Sequence, residues 1–205
     1  MASKDRILRL KEETRVNILE AALQIVKAEG WQALSMRKIA EVIEYTAPMI
    51  YEYFANKEAI LLELNRQGYL KLAKQLQEAK DKYTSPANQL EVMWLTYWNF
   101  AFANKELYQG MFGITTTCAC EMVNKLPEAK LPWNIISASI GELMNIQDME
   151  SEVICTKYYT FWSVVHGLVS INLLNRGDSD KINRQVLRDA ITGIIISITP
   201  NLQHI

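Results

Sequence analysis

Residues 34–61 read LSMRKIAEVIEYTAPMIYEYFANKEAIL, and two short amphipathic pieces stand out in them. Ser35 is placed to cap a segment in which Ile39, Ala40 and Ile43 face one side, and Thr46 to cap a second carrying Ile50 and Phe54. Pro48 falls in the first turn after Thr46, where its missing N–H has no intrahelical partner to lose, so it starts that helix and does not break it. A helix built only to fill a core needs neither that proline nor two tyrosines, Tyr51 and Tyr53, flanking a glutamate. Something outside the protein is expected to touch it.

Working upstream, Ile18, Leu19, Ala22, Ile25 and Val26 recur at three- and four-residue steps over a segment from about Arg15 to Glu29, and Gly30 follows as a natural C′ residue. One helix followed by two short helices at a tight turn is the helix-turn-helix arrangement, whose second short helix enters the major groove of DNA. Downstream, the turn Ala55-Asn56-Lys57 leads into a helical run over about 57–80, and Ser85-Pro86 opens another through Asn104. No Gly- or Ser-rich linker intervenes, so helix 57–80 is expected to join the N-terminal piece rigidly to the rest. Further helices are predicted at about 105–112, 115–125, 133–147, 151–175 and 180–198. Breaks are expected at Leu126-Pro127 and Leu131-Pro132, with a turn at Arg176-Gly177-Asp178. The run Ile194-Ile195-Ile196 has strand propensity, but its helical flank from Asp180 and the lack of a partner strand decide for helix. The fold class predicted is all-α, an N-terminal three-helix helix-turn-helix domain over 1–57 and a larger helical domain over 58–205.

Composition agrees with this class. The chain has 205 residues, 49% of them hydrophobic, with few Gly and Pro, which allows a substantial helical core. Its first fifteen residues are too charged for a secretory signal, and its apolar runs fall far short of a bilayer span, so a cytoplasmic protein without membrane contact is expected. Cys118, Cys120 and Cys155 form an odd set without framework spacing, which suits a reducing compartment. A net charge of −1 carries no global nucleic-acid signature. Any such role rests on local charge. Residues 1–57 hold nine Lys/Arg against eight Asp/Glu, and within the first eleven residues Lys4, Arg6, Arg9 and Lys11 face only Asp5, which reads either as a basic arm or as a solvated tail.

The stretch 34–61 resembles the DNA-binding signature of the TetR family of transcriptional regulators in Ser35, Arg37, Ile39-Ala40, Thr46, Ile50-Tyr51, Tyr53-Phe54 and Lys57-Glu58. A second likeness lies far downstream. FWSVVHGLVSINLLN at 161–175, with Trp162, His166 and Gly167, resembles the Trp-x-x-x-His-Gly core of one TetR C-terminal subfamily, and KELYQGMF at 105–112 resembles its preceding short helix. One departure stands out: where the family usually has glycine in the turn between the short helices, this chain has Glu44.

The resemblance implies a dimeric regulator that binds a double-stranded operator, most often a repressor, with a small-molecule inducer in the larger domain and the dimer contact on the last two long helices. Gly193 would allow close approach there. On the recognition helix, Tyr51 and Tyr53 are suited to donate to phosphates, and Lys57 adds charge beside a helix N-terminus. Ser35 and Thr46 match the motif, Arg37 is the candidate for bidentate guanine readout, and Ala47, Pro48 and Met49 offer apolar contact to thymine methyls. Arg37 reads alternatively as a solvated helix charge. Candidate ligand contacts are Trp94, Trp98, Tyr108, Phe112, Met144, Tyr158, Trp162 and His166, because aromatic and methionine surfaces suit adaptable apolar pockets. Each also reads as ordinary core, and His166 as a hydrogen-bonded structural residue. No nucleophile has a histidine at motif spacing and no phosphate loop occurs, so neither catalysis nor a cofactor is expected. Cys118, Cys120 and His166 match no common metal site. The rival readings are a helical sensor or adaptor without DNA binding, and a small helical enzyme acting on a lipophilic substrate.

Overall fold

A computed structural model of the chain describes residues 2–113 and 126–200. The predicted helix 115–125, with Cys118, Cys120 and Met122, lies outside the described residues. No strand occurs among the described residues. The chain divides into two compact units, the first formed by residues 1–67 and 109–116, the second by 68–108 and 117–205.

In the first unit, α1 runs Ala2–Glu29, α2 Met36–Val42 and α3 Ala47–Tyr51, with a 3-10 turn at Trp31–Ala33 between the first two. Helix α1 begins thirteen residues earlier than the apolar spacing implied. That spacing marks burial, not helix. The segment before Arg15 is exposed yet contains no glycine or proline, and its Leu, Lys, Arg and Glu residues are good helix formers. From Ile18 to Val26 the apolar face is buried. Gly30 then ends the helix at φ 83°, ψ 169°, a region essentially closed to side-chain-bearing residues, with its N–H on the Val26 carbonyl.

Helix α2 is capped as predicted, Ser35 Oγ accepting from the Lys38 N–H at 3.2 Å. It buries Met36, Ile39 and Ala40. Its end solves the missing-glycine problem directly: Glu44 takes the left-handed conformation, φ 58°, and the Tyr45 N–H reaches back to the Ala40 carbonyl at 2.9 Å. A non-glycine residue there carries roughly 1–2 kcal/mol of strain, part of which glycine would return through its freer unfolded chain. Glu44→Gly is therefore expected to stabilise the protein by about 1 kcal/mol in denaturant unfolding. An unchanged or lowered midpoint would show that the Glu44 side chain offsets its own strain. Thr46 occupies the N-cap of α3 with extended backbone, but its hydroxyl makes no capping bond, and Pro48 sits in the first turn as expected. Ile50 and Phe54 are buried.

Helix α4, Lys57–Lys80, starts in the first unit and ends in the second, and α6, Lys105–Phe112, does the reverse. Within the first unit Arg15 reaches Glu63 of α4 at 3.3 Å and lies over the Phe54 ring. Burial pushes the Glu63 carboxyl up, but the Arg66 bonds and the Arg15 charge outweigh it and hold the group below its ordinary range. Gly110 of α6 also belongs here. A Cβ at that position would lie 2.6 Å from Asn65 Oδ1 and 2.9 Å from the Trp31 ring, so only glycine allows this approach.

The second unit is built around α5, Pro86–Ala103, against which α7 (Leu131–Met144), α8 (Glu152–Leu173) and α9 (Asp180–Ile198) pack. Leu90, Met93, Trp94, Tyr97 and Phe100 of α5 meet Ile136, Ile140, Phe161, Val165, Leu187 and Ile191 in the core. The helix predicted from 133 starts two residues earlier, with Pro132 of the expected break in the first turn of α7. Asn145, left-handed at φ 57°, ends α7, and Ser151 and Ser179 cap α8 and α9 through their hydroxyls. The isoleucine run 194–196 is helical.

Candidate nucleic-acid interface and aromatic core

Because Ile39, Ala40, Ile50 and Phe54 are buried, the opposite faces of α2 and α3 are turned to solvent. Arg37 is open to solvent, its side chain 86% exposed and held by Glu41 at 3.0 Å. Thr46, Pro48 and Tyr51 are exposed, Tyr51 at 54%, while Ala47, Met49 and Tyr53 are half-buried. Ser35 is exposed but its oxygen is engaged in the α2 cap. Lys57 is half-buried, and its amino group donates to the Trp31 carbonyl at 3.2 Å. Its partner lies 26 residues away in sequence, which spacing alone does not reveal. Tyr45 was missed: it follows the left-handed Glu44 and is exposed, adding a third hydroxyl to this surface. Position alone pointed to it, as the residue after the turn. At the start of α1, Lys4, Arg6, Arg9 and Lys11 are exposed as well.

The exposed side chains of α2 and α3 offer two chemistries. Arg37 carries a fixed planar donor set suited to a base edge, and Tyr51 a neutral donor suited to a phosphate oxygen.

Sequence comparison decides what this surface belongs to: residues 18–64 match the family model described as bacterial regulatory proteins, tetR family. Residues 18–64, which hold α2, α3 and the start of α4, are thus similar to the DNA-binding domain of that family. A search of curated proteins finds no match to the chain. Among solved structures, a protein of unknown function from Rhodococcus sp. RHA1 aligns with TM-score 0.76 and 18% identity over 90% of this chain and 95% of its own. PfmR, a TetR-family transcriptional regulator from Thermus thermophilus, aligns with TM-score 0.63 and 18% identity over 87% and 96%. FadR from Bacillus subtilis, a transcriptional regulator solved with stearoyl-CoA, aligns with TM-score 0.69 and 17% identity over 87% and 98%. At these identities the likeness is one of fold. It extends over most of this chain and of each neighbour.

In the second unit the predicted ligand residues separate. Tyr108, Trp162 and His166 come together with Tyr97, a residue outside the predicted set although it lies one turn from Trp94. Trp162 Nε1 donates to Tyr97 Oη at 3.1 Å, Tyr97 and Tyr108 hydroxyls meet at 3.1 Å, and Tyr108 Oη bonds His166 Nδ1. The Trp162 and His166 rings stack at 4.6 Å, so the Trp-x-x-x-His-Gly spacing is a one-turn stack. Burial lowers the His166 pKa, which favours a neutral ring accepting at Nδ1. Trp94 and Tyr158 are neighbours at 5.8 Å. Trp98 instead pairs with Phe102, Met144 ends α7 half-exposed, and Phe112 falls on the part of α6 assigned to the first unit.

Gly167, third residue of that motif, faces the other way. Val153, Thr156, Thr160, Val164, Gly167, Ile171 and Leu174 recur at three- and four-residue steps along α8, half or fully exposed. Among the described residues, nothing approaches the place of a Gly167 Cβ within 4 Å, and the same holds for Gly193 of α9. Ile182, Val186 and Ile196 of α9 are likewise exposed. A shallow depression lined by Cys155, Thr156, Tyr159, Thr160 and Ser163 lies on α8, and none of the predicted ligand residues lines it.

Proposed function

We propose that this protein is a TetR-family DNA-binding regulator, a dimeric repressor of the Trp-x-x-x-His-Gly subfamily, released from a pseudopalindromic operator by an apolar small molecule. Residues 1–57 act as the DNA-binding domain, with the basic start of α1 as an arm, and 58–205 as the ligand-binding and dimerisation domain. The observation that carries this reading is the exposed Arg37–Tyr51 face on a head that matches the family model. Arg37 reads a base, Tyr51, Tyr53 and Lys57 hold phosphates, and Ala47, Pro48 and Met49 lie against the groove floor. Lys57 leaves the Trp31 carbonyl for a phosphate, an exchange of one acceptor for a charged one.

The exposed apolar stripes of α8 and α9 support the homodimer. A monomer that leaves Ile171, Leu174, Ile182 and Val186 in water has a face suited to its own copy, with Gly167 and Gly193 letting backbones approach. The protein works in the cytoplasm without catalysis or cofactor. Ligand and operator weaken one another's binding by the same factor, as linkage requires.

Fluorescence anisotropy on the DNA flanking the protein's own coding region tests the reading. Affinity is expected to fall as salt rises, and Lys57→Ala to reduce the slope of log affinity against log salt by about one. Tyr51→Phe should weaken binding to every sequence alike. No binding at low salt to any flanking DNA would leave a helical sensor without DNA binding as the better account.

A further inference from the structure

Trp94 is fully buried in α5, ringed by Tyr97 at 5.6 Å, Tyr158 at 5.8 Å and Phe161 stacked at 5.5 Å. Its indole N–H can only donate, and it is buried without a hydrogen-bond partner among the described residues. On α7, which packs against α5, the Ser137 hydroxyl is also buried and unpartnered. An orphaned buried donor is destabilising, and an acceptor brought to it recovers most of that loss.

Among the described residues, no charged side chain is buried in this unit to meet an ion. Among the described residues of this unit, the buried polar side chains are Gln89, Ser137, Ser139 and Asn183, all neutral. Burial pushes the Tyr97, Tyr108 and Tyr158 phenols well above their ordinary range and the His166 imidazole below its own, so all four stay neutral near pH 7. A carboxylate or phosphate entering here would lose its water and find no cation. An uncharged ring system loses little.

We propose that the interior around Trp94 takes an uncharged, largely aromatic ligand with a hydrogen-bond acceptor, such as an aromatic ketone, and holds that acceptor on the Trp94 Nε1–H. The proposal rests on small-molecule control of this protein and narrows it. It separates this chain from the stearoyl-CoA complex of the Bacillus subtilis neighbour, whose ligand carries phosphates. The rings are in contact, so the ligand is admitted by their repacking, and its own ring then lies among them.

Three naphthalenes of similar size distinguish the outcomes by equilibrium dialysis against the full chain: 2-acetylnaphthalene, 2-ethylnaphthalene and 2-naphthoate. The ketone should bind saturably and about tenfold or more tighter than either other compound, since a site built around a buried donor rejects a ligand lacking the acceptor. Trp94→Phe keeps a ring and removes the N–H, so it should bring the ketone down to the ethyl compound. Naphthoate binding as tightly as the ketone, a ketone advantage unchanged in Trp94→Phe, or no saturable ketone binding would each overturn the proposal. The wild-type comparison stands alone should the variant fold poorly by circular dichroism. Operator binding, followed separately by anisotropy, distinguishes the two levels. Its retention alongside any of those failures removes the ligand assignment and leaves the regulator; its absence with ketone selectivity intact does the reverse.

Discussion

Replacing Ile171 and Val186 together by glutamate should turn the protein into a folded monomer that has lost most of its operator affinity. Both residues are exposed on the stripes of α8 and α9, so the substitutions remove nothing from the core of the subunit, and surface changes of this kind usually alter stability by less than about 0.5 kcal/mol. In a two-fold interface each substitution occurs twice, bringing like charges together where apolar side chains met. Once the dimer is lost, each head must find its half-site independently. Linking two binding modules raises affinity by about 10²–10⁴, and that is the loss expected in anisotropy. Light scattering gives the mass directly. A dimer of unchanged affinity would place the interface on another surface.

The second large effect is one of specificity. Arg37→Ala should relax the preference at one base pair of each half-site, by about 1–3 kcal/mol, while leaving the rest of the operator consensus intact. Arg37 is free of the core and pairs with Glu41, an exposed i,i+4 pair worth about a few tenths of a kcal/mol, so it can turn to a guanine edge with little loss. Lys57→Ala, by contrast, should weaken all sequences together, because a phosphate contact carries no base information. A randomised-operator library read with both variants separates these outcomes. Uniform weakening in Arg37→Ala would assign that residue to the phosphate backbone.

How far the sequence could be read followed from which forces act locally. Caps, breakers and apolar periodicity act over a few residues, so Ser35, Pro48, Gly30 and the buried Ile39 and Ile50 were legible, and Glu44 could be recognised as a residue placed where glycine is usual. Periodicity reports burial, and so it missed the exposed first half of α1, while the break read at Leu131-Pro132 put the start of α7 two residues late, at 133. Contacts made across the fold were beyond it. Lys57 on the Trp31 carbonyl, Gly110 against Trp31 and Asn65, and the chain from Trp162 through Tyr97 and Tyr108 to His166 join residues far apart in sequence. The aromatic residues were visible as a set, but their division was not. The outward stripe from Val153 to Leu174 was present in the spacing; it went unread because the buried face of the same helix carried the larger side chains.

Two heads related by a two-fold axis are expected to bind DNA sequence-specifically. Selection of bound sequences from a randomised duplex library by the full-length protein at physiological salt tests this most directly. The expected result is enrichment of an inverted repeat whose half-sites are centred about 34–36 Å apart along the duplex or a modest departure from that, with one strongly preferred guanine per half-site. Bound DNA with the composition of the input library, or a single unrepeated site bound by a monomer, would contradict it.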